Sequence, residues 1–147
     1  MARIVVQSAP FDIAAEFAAV AAGAGIGGVG CFVGQVRGDR DLLALTLEHY
    51  PGMTERALAA IVAEAEQRWT LLGCTVIHRV GRLAVGEPIV LVIAASGHRT
   101  EALEATRFLI DWLKTDAPFW KCEERATGRS WVESHAADAA IRQGWDK

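Results

Sequence analysis

Two lysines, Lys114 and Lys121, flank a proline-stopped turn in the stretch Asp111-Trp-Leu-Lys-Thr-Asp-Ala-Pro-Phe-Trp-Lys121. Trp112, Phe119 and Trp120 crowd around the stop. A proline disfavours helical geometry in the residue before it, so the backbone turns near Ala117. Such a turn brings two ammonium groups toward one aromatic-walled pocket. A lysine titrates near about 10.4 in water, and burial or a second cation lowers that value. Either lysine can then act as general acid, general base or amine nucleophile. Lysines are ordinarily solvated surface residues; apolar surroundings set this pair apart.

Three further features suit an anion or a nucleophile. Ser96-Gly97-His98-Arg99-Thr100 closes an apolar strand pattern and opens a helical one. Free N–H groups at a helix start favour phosphate or carboxylate, and His98 and Arg99 add side-chain donors. Arg37 follows a glycine-containing strand pattern and points into a loop. Cys122 sits beside Lys121, and a nearby cation lowers a thiol pKa. On a strand, however, alternation turns neighbouring side chains to opposite faces, which favours a structural cysteine. The chain has no Walker A loop, no GxGxxG and no Gly-x-Ser-x-Gly elbow. His49, His78, His98 and His135 are isolated in sequence, and no HxH, HExxH or paired-cysteine spacing points to a metal or other cofactor. These residues alone describe an anion site rich in Lys, Arg and His, and they name no reaction.

The elements that must position them fit a single domain over residues 1–147, with 136–147 as a loose tail or short helix. The chain is 52% hydrophobic and 22% charged, with a net charge of −3, which argues against a general nucleic-acid binder. No segment approaches the length of a membrane span, and no basic run suits a membrane surface. Cys31, Cys74 and Cys122 form an odd, widely spaced set, in keeping with a reduced, cytoplasmic protein.

Ile4-Val5-Val6 reads as a strand, and Asp12 as the cap of a helix over about residues 13–22. Strand patterns follow at 29–36, 42–49, 74–80 and 89–95, the last the most apolar and expected to be central. Tyr50-Pro-Gly-Met53 is a turn, Thr54 an expected cap, and 55–69 an amphipathic helix through Leu58, Ile61, Val62 and Ala65. Residues 81–86 read as a connection, and Thr100 as the cap of a helix reaching Lys114. Residues 119–125 and 130–132 form an expected hairpin across Thr127-Gly128. Helices and strands are mixed without strict βαβ alternation. The expected class is therefore α+β, with a largely antiparallel mixed sheet and packed helices.

In register along nearly the whole chain, several stretches resemble the large, catalytic subunit of molybdopterin synthase. They are Phe-Val-Gly-Gln-Val-Arg (32–37), Leu-Thr-Leu-Glu-His-Tyr-Pro-Gly-Met-Thr-Glu (45–55) and Val-Ile-His-Arg-Val-Gly (76–81). Ser-Gly-His-Arg (96–99), Leu-Lys-Thr-Asp-Ala-Pro-Phe-Trp-Lys (113–121) and Arg-Ser-Trp-Val-Glu (129–133) continue the match.

The resemblance implies conversion of cyclic pyranopterin monophosphate to molybdopterin, a sulfurtransferase reaction that installs two sulfurs as a dithiolene. It implies a small, ubiquitin-like partner whose C-terminal Gly-Gly carries the sulfur as a thiocarboxylate. It also implies a homodimer of large subunits at the centre of a heterotetramer. By resemblance, Lys114 and Lys121 are the catalytic lysines. Gln35, Val36, Arg37, His98, Arg99, Lys114, Lys121, Cys122 and Glu123 match substrate-binding positions, with Gln35 and Cys122 standing where relatives can carry lysine and arginine. Two readings from other classes compete with this one. They are a non-catalytic anion-sensing module that dispenses with lysine acid–base chemistry, and a sulfur relay through Cys122.

Overall fold

A computed structural model describes residues 2–115, 117–132 and 145. The elements run β1 (Ala2–Gln7), α1 (Ile13–Val20), β2 (Gly28–Gln35), β3 (Leu42–His49), α2 (Met53–Arg68) and β4 (Leu71–Arg79). Then come β5 (Gly81–Ala84), β6 (Pro88–Ser96), α3 (Arg99–Thr115), β7 (Phe119–Arg125) and β8 (Gly128–Val132). The class is α+β, as expected.

The strands form two four-stranded sheets rather than one. The first has the order β1-β4-β6-β2 and is mixed, with β1 parallel to β4 and the other pairs antiparallel. The second, β5-β3-β7-β8, is antiparallel throughout. β6 is interior, and Val90 to Ser96 are all buried, which explains its unbroken apolar sequence. One face of the first sheet, with Cys74, Val76, Val90 and Val92, packs under Leu58, Ile61, Val62 and Ala65 of α2 and Phe108, Leu109 and Trp112 of α3. The opposite face, with Ile77, Leu91 and Ile93, receives Phe11 and Val20 around α1. Val36, Leu47 and Leu83 form a smaller core that joins the end of β2 to the second sheet.

Local chemistry sets the helix starts. The Asp12 carboxylate accepts from the Ala15 N–H at 3.0 Å, so the expected cap is present. Thr54 is not a cap. α2 begins two residues earlier than expected, at Met53, because Gly52, at φ +85°, takes a turn conformation open to glycine. The Glu55 carboxylate accepts from the Gly52 N–H at 2.8 Å, while Thr54 is buried and its hydroxyl donates to the Tyr50 carbonyl at 2.9 Å. Thr100 likewise lies inside α3, whose first intrahelical bond runs from the Ala102 N–H to the His98 carbonyl. Residues 81–86 are more than a connection: β5 pairs with the free edge of β3 and buries Leu83. The hairpin across Thr127-Gly128 forms as expected, with Gly128 at φ +136°. The expected tail or short helix at 136–147 lies outside the described residues, apart from Trp145.

Candidate active site

The site is built where α3 ends and β7 begins. α3 stops at Thr115, and after Pro118 the chain enters β7, antiparallel to β3. The register sets Phe119 opposite His49, Lys121 opposite Leu47 and Glu123 opposite Leu45. Side chains alternate along a strand, so Phe119, Lys121 and Glu123 share one face. Trp120, Cys122 and Glu124 share the other.

On the first face the Phe119 ring stacks on the His78 imidazole, with centroids 3.8 Å apart and planes 16° from parallel. His78 ends the helix-covered face of β4 and is only 6% exposed. Burial pushes its pKa down to about 4, and the charges of Lys121, Lys114 and His49 push the same way, against a hydrogen bond to Arg79. Lys114, Lys121 and His49 thus all lie within electrostatic reach of one buried, neutral ring. The acceptor of that bond is the Arg79 carbonyl at 2.8 Å, so Nδ1 of His78 carries the hydrogen and Nε2 the lone pair. Nδ1 of His49 lies 3.2 Å from Thr54 Oγ1, whose own hydrogen goes to the Tyr50 carbonyl. Nδ1 of His49 is thus also the donor.

Sequence alone missed both histidines as site components. His49 and His78 are far apart in the chain, and the β3–β7 register together with the His78–Phe119 stack brings them to the same place. The one available signal was their position at the polar ends of apolar strands.

The remaining candidates divide into two groups. Val36 is buried against Leu47, the strand partner of Lys121, which places the Gln35–Arg37 segment at the lysine end. Gln35 and Arg37 are exposed there. Glu123 lies on the lysine face, and its carboxylate is 3.3 Å from Arg125. Cys122 is 5% exposed and faces away from Lys121, opposite Thr46 and Trp131. Its burial and orientation favour a structural thiol.

His98 and Arg99 lie at the other end of α3. The helix is unbroken over 17 residues, so Arg99 and Lys114 are about 22 Å apart along its axis. β2 runs beside α3 in the same direction. A Cβ on Gly28 would lie 3.1 Å from the Arg99 Cα, and one on Gly30 only 2.4 Å from Thr106 Oγ1. The glycines of β2 are what let α3 lie this close. Within one chain, the two cationic groups do not meet.

Phe119 and Trp120 also part company, since Trp120 faces outward. With Glu48, His49, Tyr50 and Trp131 it lines a cleft of about 310 Å³, and Tyr50 meets Trp120 edge-on at 5.0 Å. Among the described residues no group of His, Cys, Asp and Glu side chains could hold a metal ion. No helix among them is long and apolar enough to cross a membrane.

Comparison with known proteins gives this arrangement its family. The model of the MoaE protein family matches residues 6–116. The chain belongs to the MoaE protein family. It is 51% identical to the molybdopterin synthase catalytic subunit of Pseudomonas aeruginosa, over 98% of this chain and 99% of that one. The fold is similar to the MoaE protein from Burkholderia ambifaria, with a TM-score of 0.86 and 44% identity over 100% of this chain and 99% of that chain. A molybdopterin synthase crystal structure from Staphylococcus aureus is similar at a TM-score of 0.80 and 27% identity, over 87% and 95% of the two chains. Two of the motifs on which the sequence resemblance rested, 96–99 and 113–121, lie at the two ends of α3.

Proposed function

We propose that this MoaE family member is the catalytic subunit of a molybdopterin synthase, working in the cytoplasm on cyclic pyranopterin monophosphate. The observation that carries this reading is the placement of Lys121 on the face of β7 whose Phe119 stacks on the buried, neutral His78, within electrostatic reach of Lys114 and beside the Gln35–Arg37 segment. Its partner is a small, ubiquitin-like subunit whose C-terminal Gly-Gly thiocarboxylate supplies the sulfur. Each tail delivers one sulfur, so two tails are consumed for each dithiolene formed.

The chemistry asks for cations and proton transfer. The substrate is a phosphate ester, and Arg37, His98 and Arg99 supply charge-assisted donors to such an anion. All three are exposed, and their side chains make no hydrogen bond or ion pair among the described residues. Opening the cyclic phosphate and replacing carbon-bound oxygen by sulfur require protons to be delivered to leaving oxygens. Lys114 and Lys121 are the donors and acceptors for those steps, and Lys121 meets the incoming acyl terminus. Val36 gives backbone and packing support, and Gln35 and Glu123 border the same face. Cys122, turned away, takes no part in sulfur transfer.

The length of α3 makes the homodimer part of the site. A pterin monophosphate is shorter than the roughly 22 Å between Arg99 and Lys114. His98 and Arg99 therefore serve the lysine pocket of the other protomer across a two-fold axis. The edge strand β2, paired only with β6 among the described residues, lies beside α3 where such an axis would pass. The proposed assembly is a central dimer with one small subunit at each end.

The test is single-turnover product formation by Lys121→Ala and Lys114→Ala proteins that still fold and bind the small subunit. Loss of a positioned acid or base costs about 10²–10⁴ in rate. Parental rates in both variants would leave only an anion-sensing role.

A further inference from the structure

We propose that His78 is a positioning residue for the lysine pair: its ring, stacked on Phe119, fixes the entry into β7 and thereby the place of Lys121. This rests on the functional reading given above. The stack is close and nearly parallel, 3.8 Å between centroids and 16° between planes. It joins the end of β4, in the first sheet, to the first residue of β7, in the second. Two residues further on the same face of β7 is Lys121. The turn before Phe119 contains Pro118, which donates no backbone hydrogen bond. The Phe119 N–H is spent on the Ala117 carbonyl at 2.8 Å. The Phe119 ring is therefore the side-chain tie that holds the start of β7 against the helix-covered sheet.

The His78 ring is itself held. Its Nδ1–H donates to the Arg79 carbonyl, and it is almost fully buried. Arg79 in turn is pinned, donating to the Ser8 and Pro88 carbonyls and to the Glu87 carboxylate. The charged and titratable groups that act on His78 are Lys121 of β7, Lys114 of α3 and His49 of β3, and each disfavours a proton on the ring. The ring thus presents a neutral aromatic face, a surface that phenylalanine can reproduce and asparagine cannot. Asparagine can reproduce the hydrogen bond to the Arg79 carbonyl instead.

That contrast supplies the test. His78→Phe, His78→Asn, Phe119→Leu and the double variant His78→Asn/Phe119→Leu are compared with the parent. Cyclic pyranopterin monophosphate and thiocarboxylated small subunit are the probes. His78→Asn and Phe119→Leu should each lose at least about tenfold in single-turnover rate, since small misplacements of reacting groups are costly. The pterin concentration giving half-maximal rate should stay within about twofold, because Arg37, His98 and Arg99, the donors to the phosphate, are left in place. The double variant should lose no more than the worse single one, because both remove one contact. His78→Phe should keep the parental rate to within about threefold, because the aromatic face against Phe119 is retained.

Acetylation of Lys121 by acetic anhydride, followed by mass spectrometry, gives a readout independent of turnover. Its rate should shift in His78→Asn and Phe119→Leu and hold in His78→Phe. The proposal is overturned if His78→Asn matches the parent in both readouts, or if His78→Phe is as poor as His78→Asn. Should His78→Asn fail to fold, Phe119→Leu breaks the same stack and leaves the Arg79 bond intact. A parent without turnover refutes the functional reading instead, and Lys121 acetylation then decides the positioning role by itself.

Discussion

His78 makes the stability of this MoaE family member depend on pH between about 4 and 6.5. In an unfolded chain its imidazole titrates near about 6.5; in the folded protein burial, with the nearby lysines and His49, holds it down to about 4. Because the folded pKa is depressed, the stability is complete above about pH 6.5 and is lost as pH falls toward 4. Between those limits the unfolded state binds up to one more proton, and each pH unit costs about 1.4 kcal/mol. From pH 7 to 5 the loss is about 2 kcal/mol, a sizeable part of the roughly 5–15 kcal/mol that stabilises a domain. Glu55, Glu87 and Glu124 also have lowered pKa values, each from backbone or arginine hydrogen bonds. Their contributions are lost only at more acid pH, so they do not confuse the window. The assay is urea unfolding of the parent and His78→Phe at pH 7, 6.5, 6, 5.5 and 5. The unpaired Arg79 carbonyl left by phenylalanine lowers the whole variant curve equally. The parent should fall about 2 kcal/mol more steeply over the window than the variant. Parallel curves would refute the account of a buried neutral imidazole.

Three further outcomes follow from the same geometry. Cys122→Ser should form product at nearly the parental rate with thiocarboxylated partner as the only sulfur source, because the thiol faces away from Lys121. Complete inactivity of a folded variant would restore the relay reading. Gly30→Ala would set its new Cβ 2.4 Å from Thr106 Oγ1 and 2.7 Å from the Ala102 carbonyl. Overpacking of that kind costs about 1–3 kcal/mol in urea unfolding, and an unchanged midpoint would contradict the close β2–α3 approach. A co-purified mixed dimer, with Arg99→Ala in one protomer and Lys121→Ala in the other, should keep one intact pocket and about half the activity per dimer. A mixed dimer as inactive as its parents would put the arginine and the lysines to work in the same chain.

Much of the fold was legible because local patterns agreed with tertiary ones. Asp12 caps α1, the run at 89–95 is an interior strand, and the hairpin about Gly128 forms where turn residues mark it. Other features failed for identifiable reasons. Thr54 looks like a cap, but the positive φ of Gly52 starts the helix earlier and frees the Thr54 hydroxyl for the Tyr50 carbonyl. β5 carries too few residues for a periodic signal and exists because β3 offers an edge. The division into two sheets depends on long-range pairing that no window of sequence encodes.

The site divides in the same way. The lysines and the Pro118 turn were legible as chemistry. The contributions of His49 and His78 arise only when β3, β4 and β7 are brought together. Conversely, Phe119 and Trp120 are neighbours in sequence and face opposite ways, because a strand alternates.

The most direct test of the central claim is reconstitution. The protein is mixed with thiocarboxylated small subunit and cyclic pyranopterin monophosphate, and molybdopterin and the partner's C-terminus are followed together by mass spectrometry. The account predicts molybdopterin with two thiocarboxylates converted to carboxylates per product, and a rate reduced by about 10²–10⁴ when Lys121→Ala replaces the parent. Thiocarboxylate that stays intact while substrate and a folded, partner-bound protein are present would contradict it.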